Sequence, residues 1–339
     1  MSAPILDRSD AGTDGRVALD VSDLTVDLRT PSGTVRAVDH VSFLARRGET
    51  LALLGESGCG KSMTAQALVG LLEPIASVTD GSIVLDDVDL VTAKDSVRRE
   101  LAGTELAIVF QDALTALNPV YTVGTQLAEP FRIHRKMSRK KARREAIELM
   151  RHVGIPEPES RADSYPHQFS GGMRQRLLIA MAVALSPTVL LADEPTTALD
   201  VTVQAQIMEL LKRLREEHDM AVVLITHDLA LVAEQADRVA IMYAGNVVET
   251  GSVDEVFGNP RHPYTKGLLD SVPVSAERGA DLKSIGGTPP DLHSIPSGCV
   301  YQARCPLARA RCVQERPVLD VVGDDRKAAC HFSEETPNV

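Results

Sequence analysis

Apolar and polar residues alternate along the first part of the chain in a pattern typical of β-strands. The alternation runs through residues 19–28, stops at the turn residues 30–33, and resumes through residues 35–44. Two alternating runs separated by a short turn predict an antiparallel pair. A further alternating run over residues 81–90 predicts another strand, and residues 239–250 predict a hairpin.

Four short segments are predominantly apolar, which predicts strands buried on both faces. They occupy residues 49–54, 107–110, 189–192 and 221–225. Segments with helical periodicity separate them, at residues 63–70, 122–153, 173–185 and 203–215. Strands that alternate with helices of this length predict an α/β fold with a parallel sheet, an antiparallel β subdomain and a helical insertion at about residues 113–175.

Residue composition and the pattern of apolar residues divide the chain into three parts. Residues 1–15 carry Asp7, Asp10 and Asp14 without an apolar stretch, so we interpret them as a mobile tail. The alternating strands and helices occupy residues 16–258. Prolines, glycines and four cysteines then dominate residues 259–339, which we interpret as a small, loop-rich C-terminal extension.

Composition and charge exclude several classes of protein. The chain has 339 residues, 44% of them hydrophobic, which is enough for an ordinary core. A net charge of −11 argues against a nucleic-acid partner, because binding phosphates requires clustered basic residues. The longest apolar run, Leu177 to Leu185, is too short to cross a bilayer. We therefore expect a cytoplasmic chain, whose membrane role would depend on partner subunits.

A glycine-rich loop between a predicted strand and a predicted helix indicates a nucleoside triphosphate site. The loop fits the pattern G-x-x-x-x-G-K-[ST], in which backbone N–H groups surround phosphate oxygens at a helix N-terminus. Lys61 is expected to reach the β- and γ-phosphates, and the Ser62 hydroxyl to bind Mg²⁺. The loop residues are Gly55, Glu56, Ser57, Gly58, Cys59, Gly60, Lys61 and Ser62.

Two carboxylates close the apolar segment 189–192. The carboxyl end of a parallel strand lies beside the phosphate loop, so Asp193 is expected to hold Mg²⁺ through water and Glu194 to polarise the attacking water. A second anion-binding helix start is predicted at Ser170, Gly171 and Gly172, because small residues precede a long apolar helix.

With these motifs the chain resembles the ATP-binding subunits of ABC transporters, an ABC-type P-loop ATPase fold with a RecA-like core. The resemblance covers residues 16–260. It implies ATP as the nucleotide, closure of the Ser170–Gly172 signature over a nucleotide held by a second cassette, and transmission of movement to membrane partners through Gln111. It also implies that Gln111 contributes to the magnesium site, that Asp200 belongs to the D-loop and that His227 is the switch histidine. The position where the family usually has an aromatic ring for adenine is Leu28 here, and the fifth signature residue, often glutamine, is Met173.

Three further segments, residues 111–119, 195–202 and 259–265, are similar to the dipeptide and oligopeptide import branch of that family. This resemblance implies two transmembrane permeases, an extracytoplasmic substrate-binding protein and a second ATPase, related or identical. It places the chain at the cytoplasmic face of the membrane. Importers of nickel, glutathione and opines share part of the signature, and a non-transport ABC ATPase is a further alternative.

The extension contains four cysteines, and the peptide branch often has such a cluster. Their spacing is C-x5-C-x6-C-x17-C, which lacks the close ligand pairs of structural zinc sites. Disulfides are disfavoured in the cytosol. A [4Fe–4S] cluster fits the wide spacing better, with zinc and free thiols as alternatives, and either metal would give order to a loop-rich segment. The residues are Cys299, Cys305, Cys312 and Cys330.

Overall fold

Two β-sheets organise the protein, of which the computed structural model describes residues 16–111, 116–197, 199–271 and 285–338. The predicted tail at residues 1–15, the first residues of the predicted insertion (113–115) and Ala198 of the D-loop lie outside these ranges. The strands are β1 (Val17–Thr30), β2 (Gly33–Arg46), β3 (Thr50–Leu54), β4 (Ala76–Leu85), β5 (Val88–Asp89), β6 (Leu106–Val109), β7 (Val189–Asp193), β8 (Ala221–Thr226), β9 (Arg238–Tyr243), β10 (Asn246–Ser252), β11 (Asp320–Gly323) and β12 (Arg326–Ala328).

The helices follow the predicted order. Within the described residues they are α1 (Lys61–Leu68), α2 (Asp95–Leu101), α3 (Val123–Ile133), α4 (Arg139–His152), α5 (Pro158–Arg161), α6 (Gly171–Val183), α7 (Val201–His218), α8 (Leu229–Gln235), α9 (Val253–Gly258), α10 (Pro263–Asp270) and α11 (Ala310–Gln314). Short 3₁₀ turns lie at Pro166–Gln168, Leu292–Ser294 and Ser333–Asn338. Ser138 caps α4 by accepting the N–H of Lys141.

The smaller sheet is antiparallel and has the strand order β2-β1-β4-β5. The predicted pair β1 and β2 forms along almost its whole length. The strand predicted at residues 81–90 was wrong in its bounds, since β4 begins at Ala76 and the chain turns back after Leu85. Asp86 adopts a left-handed conformation with φ of 48°, which aspartate tolerates in turns, and the turn leads into β5.

The larger sheet has the order β11-β12-β10-β9-β3-β8-β7-β6. Its centre is parallel, from β9 through β3, β8 and β7 to β6. Every residue of β3, β7 and β8 is buried, because helices cover both faces of a parallel sheet. The predicted α/β fold with a parallel core and an antiparallel β subdomain is confirmed.

Helices α3 to α6 form the insertion between β6 and β7. Ala146 and Met150 of α4, Phe131 of α3 and Leu177 of α6 lie in one hydrophobic core with apolar residues of β6, β7 and α7. The insertion is therefore packed on one face of the sheet at β6 and β7.

The C-terminal extension joins the larger sheet. Strand β12 pairs with β10 through Glu249 and Thr250, and β11 extends the sheet by one more strand. Helix α10 places Tyr264 in a hydrophobic core with Val239 and Ile241 of β9. The extension thus shares both sheet and core with the cassette, and our boundary at residue 259 falls between α9 and α10.

Candidate active site

The carboxyl ends of neighbouring parallel strands bring the predicted residues together. Strand β8 lies between β3 and β7, so that Leu54 is in register with Thr226, and Asp193 with Ile225. The residues that follow these strands, Gly55, His227 and Glu194, therefore meet at one edge of the sheet. Gln111 reaches the same edge two residues after β6 ends. This is the edge at which open α/β sheets bind their ligands.

The phosphate loop encloses its own lysine. Lys61 is the first residue of α1, and its Nζ donates hydrogen bonds to the carbonyl oxygens of Gly55 at 2.7 Å and Glu56 at 3.0 Å. Gly60 has φ of 106°, and a Cβ at this position would lie 2.7 Å from the Ala37 carbonyl oxygen, so only glycine fits. Burial raises the pKa of Cys59, which packs beneath the loop. The loop thus holds a buried ammonium where a phosphate would bind.

Ser62 and Asp193 bring together two oxygen-bearing side chains that could hold Mg²⁺. The Ser62 hydroxyl donates a hydrogen bond to Asp193 Oδ1 at 3.4 Å. Burial raises the pKa of Asp193, and the neighbouring charge of Glu194 adds to this effect, while the hydrogen bond from Ser62 opposes it. A hydroxyl and a carboxylate are ligands that Mg²⁺ accepts, so these residues fit the predicted ion.

Glu194 lies at the centre of a hydrogen-bond network. Its Oε2 accepts hydrogen bonds from Gln111 Nε2 at 2.7 Å and from the Thr197 hydroxyl at 2.8 Å, and its Oε1 lies 2.9 Å from His227 Nδ1. Burial would raise the pKa of Glu194, but the hydrogen bonds from His227 and Thr197 outweigh it, and the pKa is lowered. The network holds the carboxylate ionised and fixed in orientation. Sequence reasoning predicted three of these residues and missed Thr197.

The signature residues form a second group, around the starts of α6 and α7. Ser170 caps α6 by accepting the N–H of Met173 at 3.3 Å, and Asp200 caps α7 by accepting the N–H of Val203 at 3.0 Å. A Cβ on Gly172 would lie 2.5 Å from Val203 Cγ1. The second signature glycine is therefore required for packing α6 against α7, and it also leaves the helix start open, next to Gly171.

Leu28 lies on β1 of the smaller sheet. It is half-buried and in register with Val35 of β2 and Ala76 of β4. Its role at the adenine base stays a prediction.

Two residues of the extension contact the phosphate loop, which the sequence did not indicate. The Tyr264 hydroxyl accepts a hydrogen bond from the Glu56 backbone N–H at 2.9 Å. Arg304 binds the Glu56 carboxylate through both terminal nitrogens, at 2.8 and 3.0 Å. Both contacts span more than two hundred residues of chain, so no local sequence pattern could have revealed them.

The four cysteines of the extension line one small cavity, together with His262 and Tyr301 among others. None of the four forms a disulfide. Burial raises the pKa of Cys305 to about 12 and that of Cys330 to about 11. In the described chain no three of the four sulfur atoms lie within 4.8 Å of one another.

Comparison with known proteins decides the family. Residues 38–197 match the family model described as ABC transporter, and residues 248–312 match the model described as oligopeptide/dipeptide transporter, C-terminal region. The dipeptide transport ATP-binding protein DppD of Bacillus subtilis (strain 168) is 51% identical over 318 residues, which cover 94% of this chain and 95% of that protein. The chain belongs to the ATP-binding subunits of dipeptide and oligopeptide ABC transporters. The resemblance drawn from the motifs is thereby confirmed.

Further relatives of this ABC subunit agree. DppD of Escherichia coli (strain K12) is 47% identical, covering 93% of this chain and 96% of that protein. The oligopeptide transport ATP-binding protein OppD of Bacillus subtilis (strain 168) is 48% identical, covering 90% and 86%. ATP hydrolysis is the general activity of the family, so the ABC subunit is an ATPase that binds ATP.

Solved structures support the same fold. The cassette MJ0796, in a dimeric post-hydrolysis state bound to ADP and Pi, is 28% identical with a TM-score of 0.62, and the match covers 69% of this chain and 98% of that chain. The cbiO1 protein from Clostridium perfringens is 28% identical with a TM-score of 0.61, covering 72% and 91%. No helix in the described part of the ABC subunit has the length and apolar character that crossing a membrane requires. Membership of this family implies dimerisation and membrane permeases as partners.

Proposed function

We propose that this subunit hydrolyses ATP to power the import of dipeptides or oligopeptides. The observation that carries the mechanism is the Glu194 carboxylate, held by Gln111, Thr197 and His227 at the strand edge beside the phosphate loop. The names of relatives that align along nearly their whole length support peptides as the cargo. Nickel, glutathione or another small solute is the alternative cargo, followed by a non-transport role.

The site residues have separate roles in ATP hydrolysis. Lys61 leaves its carbonyl partners to bind the phosphates, and Ser62, Asp193 and the Gln111 side chain would hold Mg²⁺, which neutralises charge on the phosphate oxygens. Glu194 accepts a proton from the attacking water, because its lowered pKa keeps it ionised at neutral pH. His227 and Thr197 orient that carboxylate.

A second cassette completes the site in this proposal. Its Ser170, Gly171 and Gly172 face the nucleotide held by the first cassette, with Asp200 at the same junction, and Leu28 contacts the adenine. We propose a related ATPase as that second cassette, or a further copy of this chain. Two permeases and an extracytoplasmic binding protein complete the complex, which places this subunit at the cytoplasmic face of the membrane and has no need of nucleic acid.

Replacing Glu194 tests the catalytic part of this proposal. We expect Glu194→Gln to lower ATP turnover by about 100-fold or more, because a neutral amide is a poor general base. ATP affinity should persist, and the variant should accumulate as an ATP-bound dimer, alone or with its cognate ATPase, in size-exclusion chromatography with light scattering. Glu73→Gln, on the exposed surface, is the matched control. Normal turnover in Glu194→Gln would refute the assigned role.

Reconstitution tests the cargo. The complete complex in liposomes should increase its ATP turnover when the binding protein is loaded with a dipeptide or oligopeptide. Stimulation by nickel or glutathione, with none by peptides, would replace the proposed cargo by that solute.

We also propose that the four extension cysteines hold a [4Fe–4S] cluster with a structural role. Support comes from the convergence of the four cysteines on one cavity. Protein purified without oxygen should contain iron and sulfide and should absorb visible light. Cys305→Ser should lose the iron, the sulfide and the absorbance, whereas Cys59→Ser should keep all three. Colourless protein with zinc, or with neither metal, would refute the cluster.

The proposed organisation has a tail at residues 1–15, a cassette at 16–258 with its helical insertion at about 113–175, and the extension at 259–339. The proposed boundary at residue 259 falls between α9, which ends at Gly258, and α10, which begins at Pro263.

A further inference from the structure

The phosphate loop is bound from outside by the C-terminal extension, through a single residue of the loop. Glu56 is the second residue of the loop, and both its backbone and its side chain are engaged. The backbone N–H donates to the Tyr264 hydroxyl at 2.9 Å, and the carboxylate accepts two hydrogen bonds from Arg304 at 2.8 and 3.0 Å. A bidentate arginine–carboxylate pair fixes orientation as well as charge.

Arg304 is itself held rigidly. Its side chain is 5% exposed, against 26% for Glu56. The guanidinium lies over the rings of Tyr243 and Tyr301, 5.7 and 6.0 Å from their centroids. It also donates to the Tyr243 hydroxyl at 3.3 Å and to the carbonyl oxygen of Gly286 at 2.9 Å. Because these contacts fix the guanidinium, it also restricts the movement of the loop residue that it binds.

Tyr264 is positioned by the core of the cassette and the extension together. It is completely buried, and its ring packs against that of Tyr243 with centroids 4.6 Å apart. Because the hydroxyl accepts the Glu56 N–H, this peptide group is directed toward the extension. The hydroxyl therefore selects one orientation of the first peptide in the loop.

The negative charge of Glu56 requires a compensating cation, and Arg304 provides it. A carboxylate in a loop that binds a polyanion repels the phosphates unless a cation compensates it. Lys61 is directed to the phosphates in the bound state, so it serves the nucleotide and not Glu56. Arg304 supplies the compensating charge from outside the loop.

We propose that Arg304 and Tyr264 are positioning residues of the nucleotide site, through which the C-terminal extension sets the affinity of the phosphate loop for MgATP. Neither residue contacts the nucleotide in this proposal. Arg304 neutralises and orients the Glu56 side chain, and Tyr264 orients its peptide group. The extension is then part of the ATP site of each cassette, in addition to any metal that its cysteines bind.

Charge-neutral variants of the full-length chain test the role of Arg304. Binding of MgATP is measured by titration with a fluorescent ATP analogue and competition by ATP. Arg304→Gln leaves the Glu56 carboxylate uncompensated, and we expect affinity to fall about tenfold, since removing one member of a fixed charge pair penalises the member left behind. In the double variant Glu56→Gln/Arg304→Gln no carboxylate remains, and affinity should return to within about threefold of Glu56→Gln alone.

A matched control and a milder variant separate positioning from general destabilisation. Arg311 also binds a glutamate with two nitrogens, but on the exposed surface of the extension, so Arg311→Gln should leave affinity unchanged. Tyr264→Phe removes only the hydroxyl and should raise KM for ATP a few-fold while kcat changes less than twofold. Because this variant keeps the ring in the core, it tests the proposal even if Arg304→Gln does not fold.

Three results would overturn the proposal. One is wild-type affinity in Arg304→Gln. Another is a double variant that binds as weakly as Arg304→Gln, since this would show that Arg304 acts only as a packing group. The third is a Tyr264→Phe variant that folds normally and keeps its KM.

Discussion

Replacing Arg326 with methionine should destabilise the protein strongly, because it would leave a buried carboxylate without its cation. Glu249 of β10 is fully buried, and Arg326 of β12 donates to its Oε1 at 2.6 Å. Glu249 also accepts the backbone N–H groups of Arg261 and His262, at 2.8 and 2.9 Å. This carboxylate thus joins the cassette to the start of α10, the helix that carries Tyr264.

The size of the effect follows from the burial of the pair. The two side chains are 6% and 0% exposed, so solvent screens them little. Removing one partner of such a pair costs about 3–5 kcal/mol of folding free energy. At roughly 2–4 °C per kcal/mol for a domain of this size class, the melting temperature should fall by roughly 6–20 °C.

Thermal unfolding of the full-length chain, followed by circular dichroism, measures this loss. Glu249→Gln/Arg326→Met is the informative partner variant. This double variant removes the buried charge. The NH₂ group of the introduced glutamine must, however, face one of the two backbone N–H donors, so we expect only about half of the lost stability to return. A loss below about 1 kcal/mol in Arg326→Met, or a double variant no more stable than the single one, would refute the reasoning.

Three further predictions concern the site and its surroundings. His227→Ala should lower kcat by about 100-fold, with ATP affinity unchanged, because Glu194 loses an orienting partner; single-turnover kinetics would check this, and an unchanged kcat would contradict it. Thr197→Val should lower kcat by less than His227→Ala, since Gln111 still donates to the same carboxylate oxygen; steady-state kinetics of the two variants compare them. Burial would raise the pKa of Asp39, but the hydrogen bond from His40 and the charge of Arg316 outweigh it and lower the pKa, so ionised Asp39 stabilises the fold above about pH 4 and this stability is lost as the pH falls further. The melting temperature of Asp39→Asn should therefore lie below that of the wild type at pH 7, and the difference should shrink as the pH falls below about 4.

Local sequence patterns predicted those parts of the fold and site that depend on local physics. The strand–loop–helix order around Lys61 and the carboxylates at the end of β7 were readable because backbone geometry places strand ends at a shared edge. Thr197 was missed, since a threonine in a turn carries no signal until the turn brings it to Glu194. The bounds of β4 were wrong because alternation continues across the turn at Asp86.

The contacts of the extension could not be predicted for a different reason. The contacts of Arg304 and Tyr264 with Glu56 belong to a tertiary arrangement in which β12 pairs with β10 and α10 packs on β9. Such contacts depend on tertiary structure, and neither the composition of residues 259–339 nor the spacing of their cysteines indicates them. The same composition led us to consider the extension as a separate appendage, although it shares a sheet with the cassette.

The pairing of β12 with β10 has a practical consequence for shortened forms of the protein. A chain ending near residue 258 would leave the backbone groups of β10 unpaired along Glu249 and Thr250, beside apolar Val247 and Val248. Exposed edges of this kind recruit strands from other molecules and promote aggregation. In the intact chain the outermost strand is the short β11, with Asp320 at its start and Gly323 at its end, which offers little for another molecule to extend. Strands β11 and β12 thus also cover a sheet edge to which other molecules could otherwise pair.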